Sequence, residues 1–432
     1  MKRLILINIA AILCTFAISG FTQETKDKKP EIKFGGFIRY DAFYDNRLNV
    51  DALEGLVNLF PLNKAFDSIG NDLNNKNTIN ALTLASRLKT FITAADALGA
   101  KTSGFIEFDF TGRPSATAPA TIRFREAWIK LKWEKTKLLF GRHWHPLFIE
   151  EMVPSVVSMN IGAPFQTFNR SAQMTVKRNI GDFKVLASAI YQSDYLSSGP
   201  STEVKSPNYM KWSMMPNLHL QFQYLKPHLF TGIAIDYKSI QPRLFTTAIV
   251  AGKKTYKTDE KLNTYALEAF LKVNYPKFTF KCKSLYGQNL SDHLLTGGYA
   301  VKTIDSLTGR ETYTPSNNLY VWANAIYGTK WKFSLFGGYS QNLGFSENVI
   351  NNKPIDSNGK TIETIYGTGN NIAFIYRISP SIIYDLNFLQ FCLEYERTSA
   401  AYGKNELNNK GKVINKEIIT NNRLLFTVIY LF

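Results

Sequence analysis

The sequence predicts an all-β protein, a transmembrane antiparallel β-barrel of about 16 strands. Three observations predict this fold. Polar and apolar residues alternate along most of the chain, short turns and long loops follow one another between the alternating segments, and the chain ends on an aromatic residue, Phe432. Alternation with a period of two is typical of a strand that has one face in lipid and the other in water.

The N-terminus is predicted to be a removable signal peptide. Lys2 and Arg3 precede an apolar run from Leu4 to Ala17, and small and polar residues lead to Gln23. A run of this length with these flanks is typical of an export signal and too short for a spanning helix. We therefore expect a signal peptide at 1–22, a short N-terminal segment at 23–31 and the barrel at 32–432.

Composition excludes several other classes. The chain is 45% hydrophobic and 14% aromatic, too apolar for a disordered protein. It has three cysteines in 432 residues, too few for a disulfide-stapled scaffold. Beyond the N-terminus, no long stretch is both free of charge and mostly apolar, as a helical membrane span would be.

Alternating segments long enough to cross a bilayer recur along the whole chain. The clearest is 217–224, where the sequence NLHLQFQY alternates residue by residue. The predicted strands are 32–45, 79–91, 100–112, 121–134, 136–146, 171–179, 182–195, 210–224, 227–241, 262–275, 277–289, 316–329, 331–344, 370–386, 388–400 and 419–432.

The connections between these strands favour a membrane barrel over a soluble sandwich or propeller. Very short turns fall at Lys135, Ile180-Gly181, Leu225-Lys226, Pro276, Lys330 and Asn387. Long polar loops alternate with them at 46–78, 147–170, 196–209, 242–261, 290–315, 345–369 and 401–418. Bacterial barrels have short periplasmic turns and longer outer loops, whereas soluble sandwiches show no such alternation. Aromatic residues near the strand ends, such as Trp133, Tyr224, Tyr275 and Trp331, then form interfacial girdles.

Several short segments resemble one family. They are 34–45 (FGGFIRYDAFYD), 105–110 (FIEFDF), 124–128 (FREAW), 139–142 (LFGR), 169–173 (NRSAQ), 379–381 (SPS) and 421–423 (NNR). Together they resemble trimeric outer-membrane porins of the DcaP and phosphate-selective type. The likeness covers most of the first 180 residues and the last strands, and the stretch His143-Trp144-His145-Pro146 departs from it.

The resemblance implies a homotrimer in the outer membrane of a Gram-negative bacterium, with the third loop, 147–170, folded into the lumen. It also implies passive diffusion of small hydrophilic solutes. The net charge of +17 and a small excess of basic over acidic side chains in the inward phase favour anions such as phosphate or dicarboxylates. Another interpretation is that the lysines and arginines solvate the loops and bind lipopolysaccharide at the rim.

The predicted pore-lining and constriction residues combine the inward phase with the third loop. They are Arg39, Asp41, Arg87, Lys89, Glu107, Asp109, Arg142, Glu150, Glu151, Arg170 and Arg377. Arg142 and Arg170 are the expected bidentate partners for a carboxylate or phosphate. Arg123 and Arg125 fall in the lipid-facing phase, so either the strand register slips there or both face a subunit contact.

Three other functions are less well supported by the sequence than a pore. A surface-binding barrel or adhesin would act through the loops 46–78 and 290–315. His143 and His145 lie on one face of a strand, but the sequence shows no third metal ligand and no nucleophile motif, so we expect no enzyme, metal or cofactor. Nucleic-acid binding is disfavoured because the basic residues are spread over the chain rather than clustered.

Overall fold

The computed structural model describes residues 29–112, 120–200, 205–248, 254–351 and 363–432. The predicted signal peptide lies outside the described residues and stays a prediction. Within the described ranges, no helix has both the length and the apolar character needed to cross a membrane.

Sixteen antiparallel strands form one closed barrel, which confirms the predicted fold. They are β1 (Glu31–Asp45), β2 (in two segments, Thr78–Leu82 and Arg87–Thr93), β3 (Lys101–Asp109), β4 (Arg123–Lys132), β5 (Thr136–Trp144), β6 (Arg170–Ile180), β7 (Phe183–Tyr191), β8 (Asn217–Lys226), β9 (Leu229–Ile240), β10 (Leu262–Tyr275), β11 (Phe278–Gln288), β12 (Glu311–Gly328), β13 (Trp331–Phe345), β14 (Ile372–Asp385), β15 (Leu389–Glu406) and β16 (Lys412–Leu431).

The first and last strands close the ring. β1 pairs with β16 from Phe37 opposite Leu431 to Asp45 opposite Arg423, and every other strand pairs with its neighbours in sequence. A closed sheet satisfies its backbone hydrogen bonds internally, which is necessary where lipid provides no partner.

The outside of the barrel is apolar. On β9, Ile233 and Ile235 are 60% and 47% exposed, whereas Asp236 on the other face is 3% exposed. Tyr275 and Trp331 are exposed beside the short turns. An outer surface of this kind faces lipid, so the barrel spans a membrane.

Two predicted boundaries are wrong. The segment 401–418 is not a long loop, because β15 continues to Glu406 and β16 begins at Lys412. Alternation is weak there because both faces of these strand extensions are largely polar, which makes the sequence look like a loop. The predicted strand 210–224 instead begins with a short helix, α1 (Asn208–Ser213), and β8 starts at Asn217.

Three loops matter for the lumen: L1 (46–77), L3 (145–169) and L6 (289–310). L1 contains a hairpin of Asn49–Ala52 and Val57–Pro61. L3 contains two 3-10 turns, Pro146–Phe148 and Glu150–Met152. L6 contains a 3-10 turn, Ser291–His293, and a strand, Gly297–Ile304, that pairs with β12 and with the short strand Ile365–Thr368.

Candidate functional site: the lumen

L3 lies inside the barrel, as the family resemblance implies. The backbone N–H of Val157 donates to Glu394 on β15 at 2.7 Å, and Arg39 on β1 donates to the carbonyl of Val157 at 2.7 Å. Arg377 on β14 donates to the carbonyl of Ala163 at 2.6 Å. Charged side chains of the wall therefore hold L3 by its backbone.

The L1 hairpin also folds into the lumen, although the sequence predicts an outer loop there. Arg423 donates to the carbonyl of Gly55 at 2.8 Å, and Arg377 donates to that of Leu59 at 2.8 Å. The hydroxyl of Tyr402 donates to the carbonyl of Pro61 at 2.7 Å. The signal for this placement is the run LVNLFP at 56–61, which is too apolar for a solvated loop.

A β-bulge determines on which face of its strand Arg125 lies, which the sequence leaves ambiguous. Between β3 and β4 the register shifts, so that Glu107 lies opposite Glu126 and Phe108 lies opposite Phe124. A bulge re-aims the side chain of the extra residue. Arg125 is therefore fully buried and bonded to Glu107 and Asp109. Of the two explanations that the sequence left open, a register slip and a subunit contact, the register slip is correct.

Arg142 and Arg170 lie together at the loop end of β5 and β6. Arg142 donates to the carbonyl of Arg125 at 2.8 Å and pairs with Asp194. Arg170 is buried, stacks 4.6 Å above the ring of Trp144 and donates to the hydroxyl of Tyr195 at 3.0 Å. The structure thus brings the two arginines close to Arg125, but each already has protein partners.

His143 on β5 connects the wall to the first part of L3. Its Nδ1 lies 2.6 Å from Glu126, and its Nε2 lies 3.2 Å from Glu150. Partial burial would raise the pKa of Glu150, but the hydrogen bond and the charge of His143 outweigh it and lower that pKa. The side chain of Glu150 is still 51% exposed, so this carboxylate faces the water in the lumen.

Three buried histidines join L3 and L6 to the wall. The ring of His145 in L3 lies 4.6 Å from that of His293 in L6 and 6.0 Å from that of His219 on β8. Burial lowers the pKa of His145 well below its ordinary value, and His293 lowers it further. Burial also outweighs the Asp292 carboxylate and lowers the pKa of His293 to about 4. The two loop histidines are therefore neutral at neutral pH.

A row of lysines crosses four neighbouring strands at the turn end of the lumen. Lys101 lies opposite Lys132, Lys132 opposite Lys137, and Lys137 opposite Lys177. All four have the inward phase, which they share with the buried residues Leu139 and Thr175. None of the four makes an ion pair within the described part of the chain. None of these four lysines is among the predicted pore-lining and constriction residues, although all four follow the inward phase.

A second lysine pair lies on another part of the wall. Lys272 on β10 lies opposite Lys281 on β11. Lys272 donates to the carbonyl of Glu151 at 3.3 Å, and Lys281 donates to that of Val153 at 2.5 Å. These contacts place both lysines in the lumen beneath L3.

The predicted lining residues divide into three groups. Arg39, Asp41 and Arg377 are buried against the inner loops. On the wall formed by β2 to β6 lie Arg87, Lys89, Glu107, Asp109 and Arg170. Arg142 belongs to the same wall but has the outward phase, opposite Ala127 and above the exposed ring of Phe124, so the prediction that it lines the lumen is wrong. Glu150 and Glu151 belong to L3 itself. Among the residues that the structure describes, no three His, Cys, Asp or Glu side chains are arranged to hold a metal ion.

The closed barrel, the inward L3 and the charged lumen define the fold of an outer-membrane porin. The outer-membrane channel DcaP of Acinetobacter baumannii has this fold, with a TM-score of 0.65, 14% sequence identity, and coverage of 96% of this chain and all (100%) of that one. The likeness predicted from the sequence segments is thus confirmed at the level of the fold.

Two further solved structures are similar. The trimer form of OmpT, an outer-membrane protein of Vibrio cholerae, matches with a TM-score of 0.53 and 10% identity over 94% of this chain and 100% of that one. An anion-selective porin from Comamonas acidovorans matches with a TM-score of 0.51 and 10% identity over 94% of this chain and 100% of that one. No family model and no curated protein matches the sequence.

Proposed function

We propose that the protein is a porin of the Gram-negative outer membrane through which small hydrophilic solutes, anions in preference to cations, diffuse passively. The observation that carries this proposal is the lysine row, Lys101, Lys132, Lys137 and Lys177. Like charges directly opposite each other on neighbouring strands repel. In a narrow aqueous lumen with low-dielectric walls, such a field concentrates anions.

Guanidinium nitrogens without a hydrogen-bond partner in the wall formed by β2 to β6 support the same preference. Among the described residues, Arg87 Nε, Arg125 Nη2 and two guanidinium nitrogens of Arg170 are buried without a hydrogen-bond partner. Guanidinium groups fit the planar oxygens of carboxylates and phosphates. We therefore propose phosphate, dicarboxylates or similar small anions as solutes.

The assembly proposed is a homotrimer. It is supported by the family resemblance and by the trimer form of the similar Vibrio cholerae protein. Lipid and lipopolysaccharide are the expected surroundings of its outer surface. A surface-binding role is less well supported, because Phe60 in L1 and Tyr299 in L6 are buried rather than displayed.

The test is the reversal potential of the purified protein in a planar bilayer with a potassium chloride gradient. We expect the reversal potential of the wild type to have the sign that indicates selectivity for chloride over potassium. The variant Lys101→Gln, Lys132→Gln, Lys137→Gln, Lys177→Gln should lose much of this preference. A wild type that prefers potassium would refute the proposal.

A matched control removes the same number of charges elsewhere. Its substitutions are Lys76→Gln, Lys211→Gln, Lys257→Gln and Lys416→Gln, at four exposed lysines of the outer loops and strand extensions. The control should keep the wild-type reversal potential. Equal loss in both variants would mean that total charge, rather than the row, sets selectivity.

A further inference from the structure

At the turn end of the barrel, the first strand extends beyond the last strand beside it. β1 begins at Glu31, but its contact with the C-terminal strand begins at Gly36, whose backbone exchanges hydrogen bonds with Phe432 at 2.9 and 3.3 Å. The preceding residues, 31–35, pair on one side only, with 89–93 of β2. Among the described residues no strand pairs with their other side, so β1 has a free edge there.

The geometry of antiparallel pairing determines which backbone groups lie on this free edge. In an antiparallel strand, alternate residues direct both their N–H and their C=O to the same neighbour. Because Gly36 bonds Phe432, the N–H and C=O groups of Phe34 and Ile32 point to the free edge. Two donors and two acceptors of the backbone are therefore without a backbone partner within the described part of the chain.

The side chains along this edge are apolar on one face and polar on the other. Ile32 and Phe34 are 56% and 70% exposed. On the other face, Lys33 forms an ion pair with Glu31 at 3.0 Å. Backbone groups without partners are not stable in hydrocarbon, so this edge lies in water on the periplasmic side of the membrane. An exposed strand edge with apolar side chains is a template for pairing with another strand.

We propose that the edge of β1 at Ile32–Phe34 is a docking site for an extended segment of a periplasmic protein, which binds by adding a strand to the barrel wall. The backbone of such a segment supplies the donors and acceptors that Ile32 and Phe34 lack. Apolar residues at alternate positions of the segment pack against these two side chains, and polar residues lie on the face of Glu31 and Lys33. The site lies beside the pore, so this role goes beyond solute transport.

Membrane topology excludes a second copy of the chain as the occupant. Antiparallel pairing of two β1 edges would invert one barrel in the membrane, because the two strands would cross it in opposite directions. In parallel pairing, the continuation of the second β1 would meet the space that β16 occupies beside residues 37–45. The occupant is therefore an open segment that enters from the periplasm.

The chain's own residues 23–28 also fit the edge poorly. To return beside Ile32 they would need a tight turn at Lys29-Pro30. The favoured two-residue hairpin turns contain residues with positive φ, which proline cannot adopt. Such a return would also place polar residues, Asp27 and Thr25, against the apolar face of the edge.

The probe is a dye-labelled peptide of seven residues in which valine alternates with lysine, added to the purified protein in phosphatidylcholine nanodiscs. Its lysines keep it soluble and repel it from the basic lumen. We expect saturable binding, measured by fluorescence anisotropy. The same peptide with N-methylated valines cannot complete the strand ladder and should not bind. Equal binding of both peptides, or binding of neither, would overturn the docking site.

Two substitutions at one position separate backbone pairing from adhesion to an apolar surface. Phe34→Pro removes one N–H of the edge and is compatible with an edge strand. Phe34→Leu keeps this N–H and an apolar side chain. We expect Phe34→Pro to weaken peptide binding about tenfold and Phe34→Leu to weaken it less than about threefold. Equal affinities of the two variants would contradict strand addition, and wild-type single-channel conductance in both verifies that the barrel is folded.

Deletion of 23–28 distinguishes an external segment from the chain's own N-terminus. We expect the deletion to leave peptide binding unchanged. A clear gain in affinity would mean that this segment competes for the edge, and would overturn the assignment to a separate protein. Peptide binding does not depend on ion preference, so failure of the docking site leaves the proposed pore standing, and a cation-selective pore leaves the docking site standing.

Discussion

Arg125 gives the sharpest test of how the lumen wall is built. Its guanidinium is fully buried and bonds Glu107 and Asp109, the latter at 2.8 Å. In an Arg125→Met variant, Asp109 would keep Arg123 at 2.8 Å, but Glu107 would keep only Arg87 and Lys89, each at 3.9 Å. One buried carboxylate would therefore lose its close partner.

The size of the effect follows from that difference. Removing one partner of a buried ion pair typically costs about 3–5 kcal/mol. Because Asp109 remains paired, we expect the lower end, about 3 kcal/mol, in the free energy of unfolding. The measurement is urea unfolding of the barrel in detergent, followed by tryptophan fluorescence and by mobility on unheated gels.

Two variants separate the buried pair from simple loss of packing. Arg125→Met combined with Glu107→Gln should recover more than half of the lost stability, since no unpaired carboxylate remains. Arg123→Met, at a partly exposed position, should cost less than Arg125→Met. If Arg125→Met unfolds at the wild-type urea concentration, or if Glu107→Gln restores nothing, the bulge does not bury this charge as described.

The remaining predictions concern the inner loops. Lowering the pH from neutral to about 5 should destabilise the wild type more than it destabilises His293→Asn. Burial lowers the pKa of His293 from 6.5 to about 4, so the stability contributed by the neutral ring is lost as the pH falls from 6.5 towards 4. The measurement is the urea midpoint of each protein at the two pH values. Gly338→Ala should displace L3 and change single-channel conductance, because its Cβ would lie 2.4 Å from the Phe165 ring, whereas Gly337→Ala, which meets nothing within 4 Å, should not. Tyr402→Phe should cost about 1 kcal/mol in unfolding free energy by removing the hydrogen bond to Pro61, and an unchanged urea midpoint would contradict that contact.

Much of the architecture follows from local pattern. A strand between lipid and water must alternate, and turns on one side of a bilayer must be short, so the sixteen strands and their order are visible in the sequence. The same phase predicts that Glu107, Asp109 and Lys89 face inward. Prediction is weaker where both strand faces meet water, as in β15 and β16 beyond the membrane, because the alternation fades there.

Only the tertiary structure decides how the lumen is filled. The L1 hairpin is held by Arg377 and Arg423, more than 300 residues away in sequence, and no local pattern encodes such contacts. The bulge at Arg125 likewise cannot be predicted from the sequence. A slip of one residue moves a side chain from one face of the strand to the other, and the sequence is compatible with either register. Alternation along each strand therefore determines which side chains face inward, whereas long-range contacts determine which of them meet the solute.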